Sequence, residues 1–126
     1  MSTSNEVPPW LREQLVRFEQ LQQNLQAIVM QKQQVDLEAS EVERALAELR
    51  KASDADAVYK SAGNILVRSK KEDLLKDLDE RKELANTRST VLAKQEGRVR
   101  ENIKDLQTKI EDALKSKTAN PASQAS

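Results

Sequence analysis

Apolar residues recur along this chain at alternating steps of three and four, and the pattern is kept over two long stretches. From Leu11 the steps reach Gln14, Phe18, Leu21, Leu25, Ile28, Lys32, Val35, Ala39, Val42, Leu46 and Leu49, and ten of these twelve are apolar. From Leu75 they reach Leu78, Lys82, Ala85, Ser89, Leu92, Glu96, Val99, Ile103, Leu106, Ile110 and Ala113, nine of twelve apolar. A period of 3.5 kept for about six heptads predicts the narrow seam of a coiled coil, not the broader stripe of a globular helix. The predicted fold is therefore mainly α, with two helices on the order of 65 to 70 Å long.

Chain breakers divide these stretches. Gly and Pro occur only at Pro8, Pro9, Gly63, Gly97 and Pro121. Pro9 suits a first helical turn, where its missing N–H costs nothing. The run Ala52-Ser53-Asp54-Ala55-Asp56 favours side-chain bonds to its own backbone and stops the first helix. Ser69-Lys70-Lys71-Glu72 has the form of a capping box at the start of the second. Between them, β-branched and aromatic residues flank Ala62-Gly63-Asn64, which predicts a β-hairpin with Gly63 or Asn64 at positive φ. The expected organisation is a flexible N-terminus at 1–7, one domain at 8–115 (helix 8–51, hairpin 57–68, helix 70–115) and a disordered tail at 116–126.

A short hairpin makes the helices antiparallel, so the two seams pair end to end: Leu49 opposite Leu75, Leu25 opposite Val99, Leu11 opposite Ala113. Lys32 and Glu96 then fall one layer apart at polar seam positions. They either pair and hold the register or extend to water. Glu72 and Lys76, Asp77 and Arg81, Asp105 and Lys109, and Glu111 and Lys115 are spaced as i,i+4 pairs of a solvated helical face. Gly97 inside the second helix costs about 1 kcal/mol relative to Ala. Tolerance of a neutral glycine is a simpler account than a flexing tip.

Composition narrows the function. Charged residues make up 33% of the chain, 21 of each sign, and only 2% of residues are aromatic. That suits long solvated helices and leaves too little for a large compact core. With no Cys and no His, the chain lacks thiol nucleophiles, a group titrating near neutrality and the usual zinc ligands. Interleaved charges provide no basic track for nucleic acid, and no Gly-rich phosphate cradle is present. No apolar run is long enough for a signal peptide or a membrane span. A cytoplasmic protein without catalytic activity, cofactor or metal is expected.

Two apolar features exceed what a two-helix seam can cover. Ile65-Leu66-Val67 is apolar on both faces of its strand, and Val58 and Tyr59 add to it, while an isolated hairpin is marginal in water. Pairing with the hairpins of other chains would meet both needs. Trp10, Leu11, Leu15, Val16 and Phe18 crowd the start of the first helix near Ile110 and Leu114, and Trp10 and Val16 fall outside the seam. Exposed apolar groups there suggest adaptable binding; a hydrophobic staple by Trp10 is the plainer alternative.

The chain resembles the β-class subunits of prefoldin, particularly the archaeal form, over roughly residues 8–114. The resemblance is carried by Pro8-Pro9, by Phe18-Glu19-Gln20-Leu21-Gln22-Gln23-Asn24-Leu25-Gln26 with Gln31-Lys32-Gln33-Gln34-Val35, and above all by Val58-Tyr59-Lys60-Ser61-Ala62-Gly63-Asn64-Ile65-Leu66-Val67. One hairpin, where α-class subunits have two, points to the β class. The resemblance implies a hetero-hexamer of two alpha and four beta subunits, its hairpins joined in an intersubunit β-barrel. It implies that unfolded client proteins are held without ATP and passed to a group II chaperonin. Val58, Tyr59, Ile65, Leu66 and Val67 would then form the subunit interface, and Trp10, Leu11, Leu15, Phe18, Ile110 and Leu114 would meet clients. Trp10 and Gly97 are not among the residues that carry the resemblance. A structural or tethering coiled coil is the alternative, for which heptads suffice and the hairpin has no purpose.

Overall fold

A computed structural model describes the backbone of residues 7–125 and the side chains of residues 7–116. In chain order the elements are α1 (Pro9–Lys51), β1 (Val58–Ala62), β2 (Ile65–Ser69) and α2 (Lys71–Ala125). The flexible segment expected at 1–7 lies, except for Val7, outside the described residues. The helix α2 ends beyond the expected boundary at Lys115, and the side chains from 117 onward, where a tail was expected, lie outside the described residues.

The chain forms two compact units, one of Met1–Val29 with Lys94–Ser126 and one of Met30–Ala93. In the first, α1 begins on a bond from the Arg12 N–H to the Pro8 carbonyl (3.0 Å), which leaves Pro9 at the first helical position. Its core is Ile28 of α1 with Val99, Ile103 and Leu106 of α2. The two segments lie side by side, and a hollow of about 260 Å³ is lined by Gln14, Arg17 and Leu21 of α1 and Asn102, Asp105 and Leu106 of α2.

In the second unit Val35, Val42 and Leu46 of α1 are buried with Ala85 and Leu92 of α2. Asp36 accepts a bond from the Ser89 hydroxyl (3.0 Å), and Glu43 meets Lys82 at 2.9 Å. Both contacts fall within one residue of the register in which Leu49 faces Leu75. All twenty-four seam positions read from the heptads are buried or half-buried. The Lys82 ammonium, bonded to the Glu43 carboxylate and attracting it by charge, holds that carboxyl below its ordinary 4.5.

Ion pairing follows a different pattern from the helical spacing. Among the described residues the four expected i,i+4 pairs do not form. Asp77 pairs with Lys60 of β1 at 3.1 Å, and the contacts between helices are Arg50 with Asp79, Lys82 with Glu43 and Arg88 with Glu38. Lys60 of the neighbouring strand takes Asp77 from Arg81, and the other three expected pairs are exposed contacts too weak to hold two long side chains together. Glu96 accepts from the Arg100 guanidinium at 2.9 Å, an i,i+4 contact within its own helix.

Gly97 is exposed, and a Cβ built on it meets nothing within 4 Å. Gly97→Ala should therefore add about 1 kcal/mol of helix stability and raise the thermal midpoint by roughly 3 to 5 °C, measured by circular dichroism. An unchanged or lowered midpoint would show that this position has to bend.

Candidate functional site

The hairpin is built by a two-residue turn. Ala62 pairs with Ile65, Gly63 has φ of 61°, and no described non-glycine residue has positive φ. Positive φ at the first central residue alone is the type II′ arrangement, whose twist suits a hairpin and requires glycine there. Of the two expected candidates, Gly63 takes the left-handed conformation and Asn64 does not. The antiparallel ladder continues through Ser61 with Leu66, Lys60 with Val67, and Tyr59 with Arg68 to Val58 with Ser69.

That last pairing corrects the expected capping box. Ser69 is the final residue of β2, and its hydroxyl donates to the Val67 carbonyl at 3.3 Å. The helix α2 starts at Lys71 and its first bond runs from the Leu74 N–H to the Lys70 carbonyl at 3.1 Å, so Lys70 holds the cap position and Ser69 lies one residue before it. Glu72 and Asp73 in the first turn complement the positive end of the helix dipole instead.

Side chains alternate across the ladder, so Val58, Lys60, Ala62, Ile65, Val67 and Ser69 share one face, and Tyr59, Ser61, Leu66 and Arg68 share the other. Of the five residues expected at a subunit interface, only Val58 is half-buried. Tyr59, Ile65, Leu66 and Val67 are exposed, Leu66 by 71% and Ile65 by 62%. A two-strand sheet has two open edges, and among the described residues no further strand pairs with them. Beside β1 a groove of about 530 Å³ is lined by Leu49, Ala52, Val58, Tyr59, Leu74 and Leu78, among others.

In the other unit, the six residues expected to meet clients divide into two groups. Leu11, Phe18 and Ile110 are half-buried in the seam, while Trp10 (40%), Leu15 (44%) and Leu114 (42%) are exposed, as is Val16. The seam uses one stripe from each helix, so apolar groups beside that stripe stay wet. Trp10 and Val16 line a shallow depression along α1 with Arg12, Glu13 and Arg17.

Heptad reading missed four exposed apolar residues in the second unit, Met30 and Leu37 of α1 and Leu84 and Val91 of α2. Each pair is seven residues apart, on one line of its helix. That repeat was visible once the seam positions were set aside. Among the described residues no acidic cluster could hold a metal ion, and no helix is long and apolar enough to cross a membrane.

Two long helices joined by a hairpin, with apolar strands and helix ends uncovered, define a coiled-coil protein whose available surfaces suit contact with other chains. A family model for prefoldin subunits matches residues 12–117. The prefoldin beta subunit of Archaeoglobus fulgidus is 42% identical over 109 residues, which cover 86% of this chain and 94% of the relative. That of Pyrococcus furiosus is 37% identical over 113 residues, 90% and 97% of the two chains. The crystal structure of the prefoldin beta subunit from Thermococcus strain KS-1 superposes with a TM-score of 0.79 at 36% identity, covering 86% of this chain and 96% of that one. The chain belongs to the prefoldin family, in its beta class, and its function is of the chaperone type.

Proposed function

We propose that this chain is the beta subunit of a hetero-hexameric prefoldin, which holds unfolded proteins without ATP in the cytoplasm and passes them to a group II chaperonin. The observation that carries this reading is the hairpin, whose apolar residues are exposed on both faces and whose edges are unpaired. Such a sheet is stable once it is extended by strands of other subunits. In this assembly Val58, Tyr59, Ile65, Leu66 and Val67 join neighbouring subunits, including the alpha subunit. Trp10, Leu11, Leu15, Phe18, Ile110 and Leu114 take up exposed apolar segments of clients. Holding by apolar burial needs no bond chemistry, and the reading includes no cofactor, metal, nucleic acid or membrane.

The test is suppression of aggregation of a chemically denatured model protein, with this chain alone and with an archaeal alpha subunit, in the absence of nucleotide. The mixture should suppress aggregation and have the native mass of a hexamer. A monomer or dimer that suppresses nothing would point instead to a structural tether.

A further inference from the structure

The helix α1 ends without the usual device for its last carbonyls. No glycine follows it, and no described non-glycine residue adopts the left-handed conformation of a C-terminal cap. The first residues beyond it are closed locally. The Ala52 N–H bonds to the Leu49 carbonyl (3.2 Å), and Ser53 and Asp56 exchange bonds, the Ser53 N–H to the Asp56 carboxylate (2.8 Å) and the Asp56 N–H to the Ser53 carbonyl (3.0 Å). The Ala52 carbonyl is satisfied from elsewhere: the ammonium of Lys71, the first residue of α2, donates to it at 2.6 Å and lies 3.6 Å from the Asp54 carboxylate.

A cation at the N-terminus of its own helix is unfavourably placed, whereas at the C-terminal end of another helix it is favourably placed. The Lys71 side chain is only 19% exposed, so this contact is better shielded than the surface pairs. Within the first strand, Lys60 of β1 reaches Asp77 of α2 at 3.1 Å. The segment entering the hairpin is thus tied to α2 twice, before β1 and within it, and β2 runs into α2 through Lys70 alone.

We propose that Lys71 is the positioning residue of the hairpin: by capping α1 from the start of α2, with Lys60 and Asp77 as a second tie, it sets the direction in which the strands are presented to other subunits. This rests on the hairpin being the subunit interface. A charge-assisted bond to a carbonyl in a shielded site orders the 52–57 loop before assembly, so association does not have to order it.

The experiment compares Lys71→Met, Lys71→Arg and Leu66→Asp in the full chain, mixed with an alpha-class prefoldin subunit. Lys71→Met keeps the apolar stem and removes the donor. Helical content should be retained, amide exchange in residues 52–57 should accelerate, and the dissociation constant should rise about tenfold. Lys71→Arg should recover most of that loss. Should Lys71→Met not keep its helices, Lys60→Met with Asp77→Asn tests the second tie, with the same acceleration and weakening expected. Unchanged association and exchange in Lys71→Met, alongside abolished association in Leu66→Asp, would overturn the positioning role and leave the interface standing. Unchanged association in Leu66→Asp would overturn the interface reading itself.

Discussion

Leu66→Asp should leave the helices of the isolated chain intact and prevent its assembly with an alpha subunit. Leu66 is 71% exposed, so the change removes little packing from the chain itself, and surface substitutions of this kind typically fall within about 0.5 kcal/mol. In the proposed assembly the same position is covered by neighbouring subunits, and an unpaired carboxylate there would cost several kcal/mol. That cost raises the dissociation constant by more than about 100-fold. Sedimentation or native mass measurement reads the assembly, and far-ultraviolet circular dichroism reads the helices. A hexamer that persists unchanged would place the subunit contact elsewhere.

The second large effect is expected at the helix ends near Trp10 and Leu114. The combined substitution Trp10→Ser, Leu15→Ser and Leu114→Ser should reduce aggregation suppression on the order of tenfold or more, because each side chain can bury apolar surface worth about 1 to 2 kcal/mol against a client. Assembly should change little, and thermal stability should fall less than for seam residues, since all three are 40–44% exposed in the chain itself. Phe18→Ser with Ile110→Ser should also weaken holding, but these two are half-buried in the seam, so that variant also loses helix packing. Comparing the two variants separates client contact from stability. Full suppression by the triple variant would show that clients bind on other surfaces, and Leu37 and Leu84, both exposed, would be the next positions to change.

The helices were legible because their seam is a one-dimensional signal. Leu46, with 1% of its surface exposed, and Val35, with 2%, are among the most buried side chains, and both lie on the list obtained by stepping from Leu11. The hairpin was legible for a local reason too, since a glycine between two β-branched runs has few other uses. Identifying which of Gly63 and Asn64 is left-handed needed the ladder, because the pairing of Ala62 with Ile65 leaves a turn of only these two residues. The capping box failed for a related reason. Ser69 has the right neighbours for a cap, but the ladder runs on to pair it with Val58, and the first bond of α2 is accepted by the Lys70 carbonyl, one residue later.

Charges were the least legible feature. Asp77 is well spaced for Arg81, yet it binds Lys60, seventeen residues away in sequence. Lys71 looked like one of many surface lysines until α1 and α2 were brought together at the Ala52 carbonyl. Exposure at the residues proposed to meet clients was mixed for the same reason. Periodicity says that Leu11 and Phe18 face the partner helix, but how much of Trp10, Leu15 and Leu114 stays wet depends on what lies beside that seam.

The elements, the antiparallel pairing of the seams and the family resemblance could be read along the chain, because heptad periodicity and turn chemistry act over a few residues at a time. Which charged groups meet, how α1 is capped and which apolar side chains remain uncovered became visible with the packed helices and hairpin. Those outcomes depend on distances of a few ångströms between residues far apart in the chain, and such distances exist only once the helices and the hairpin have packed.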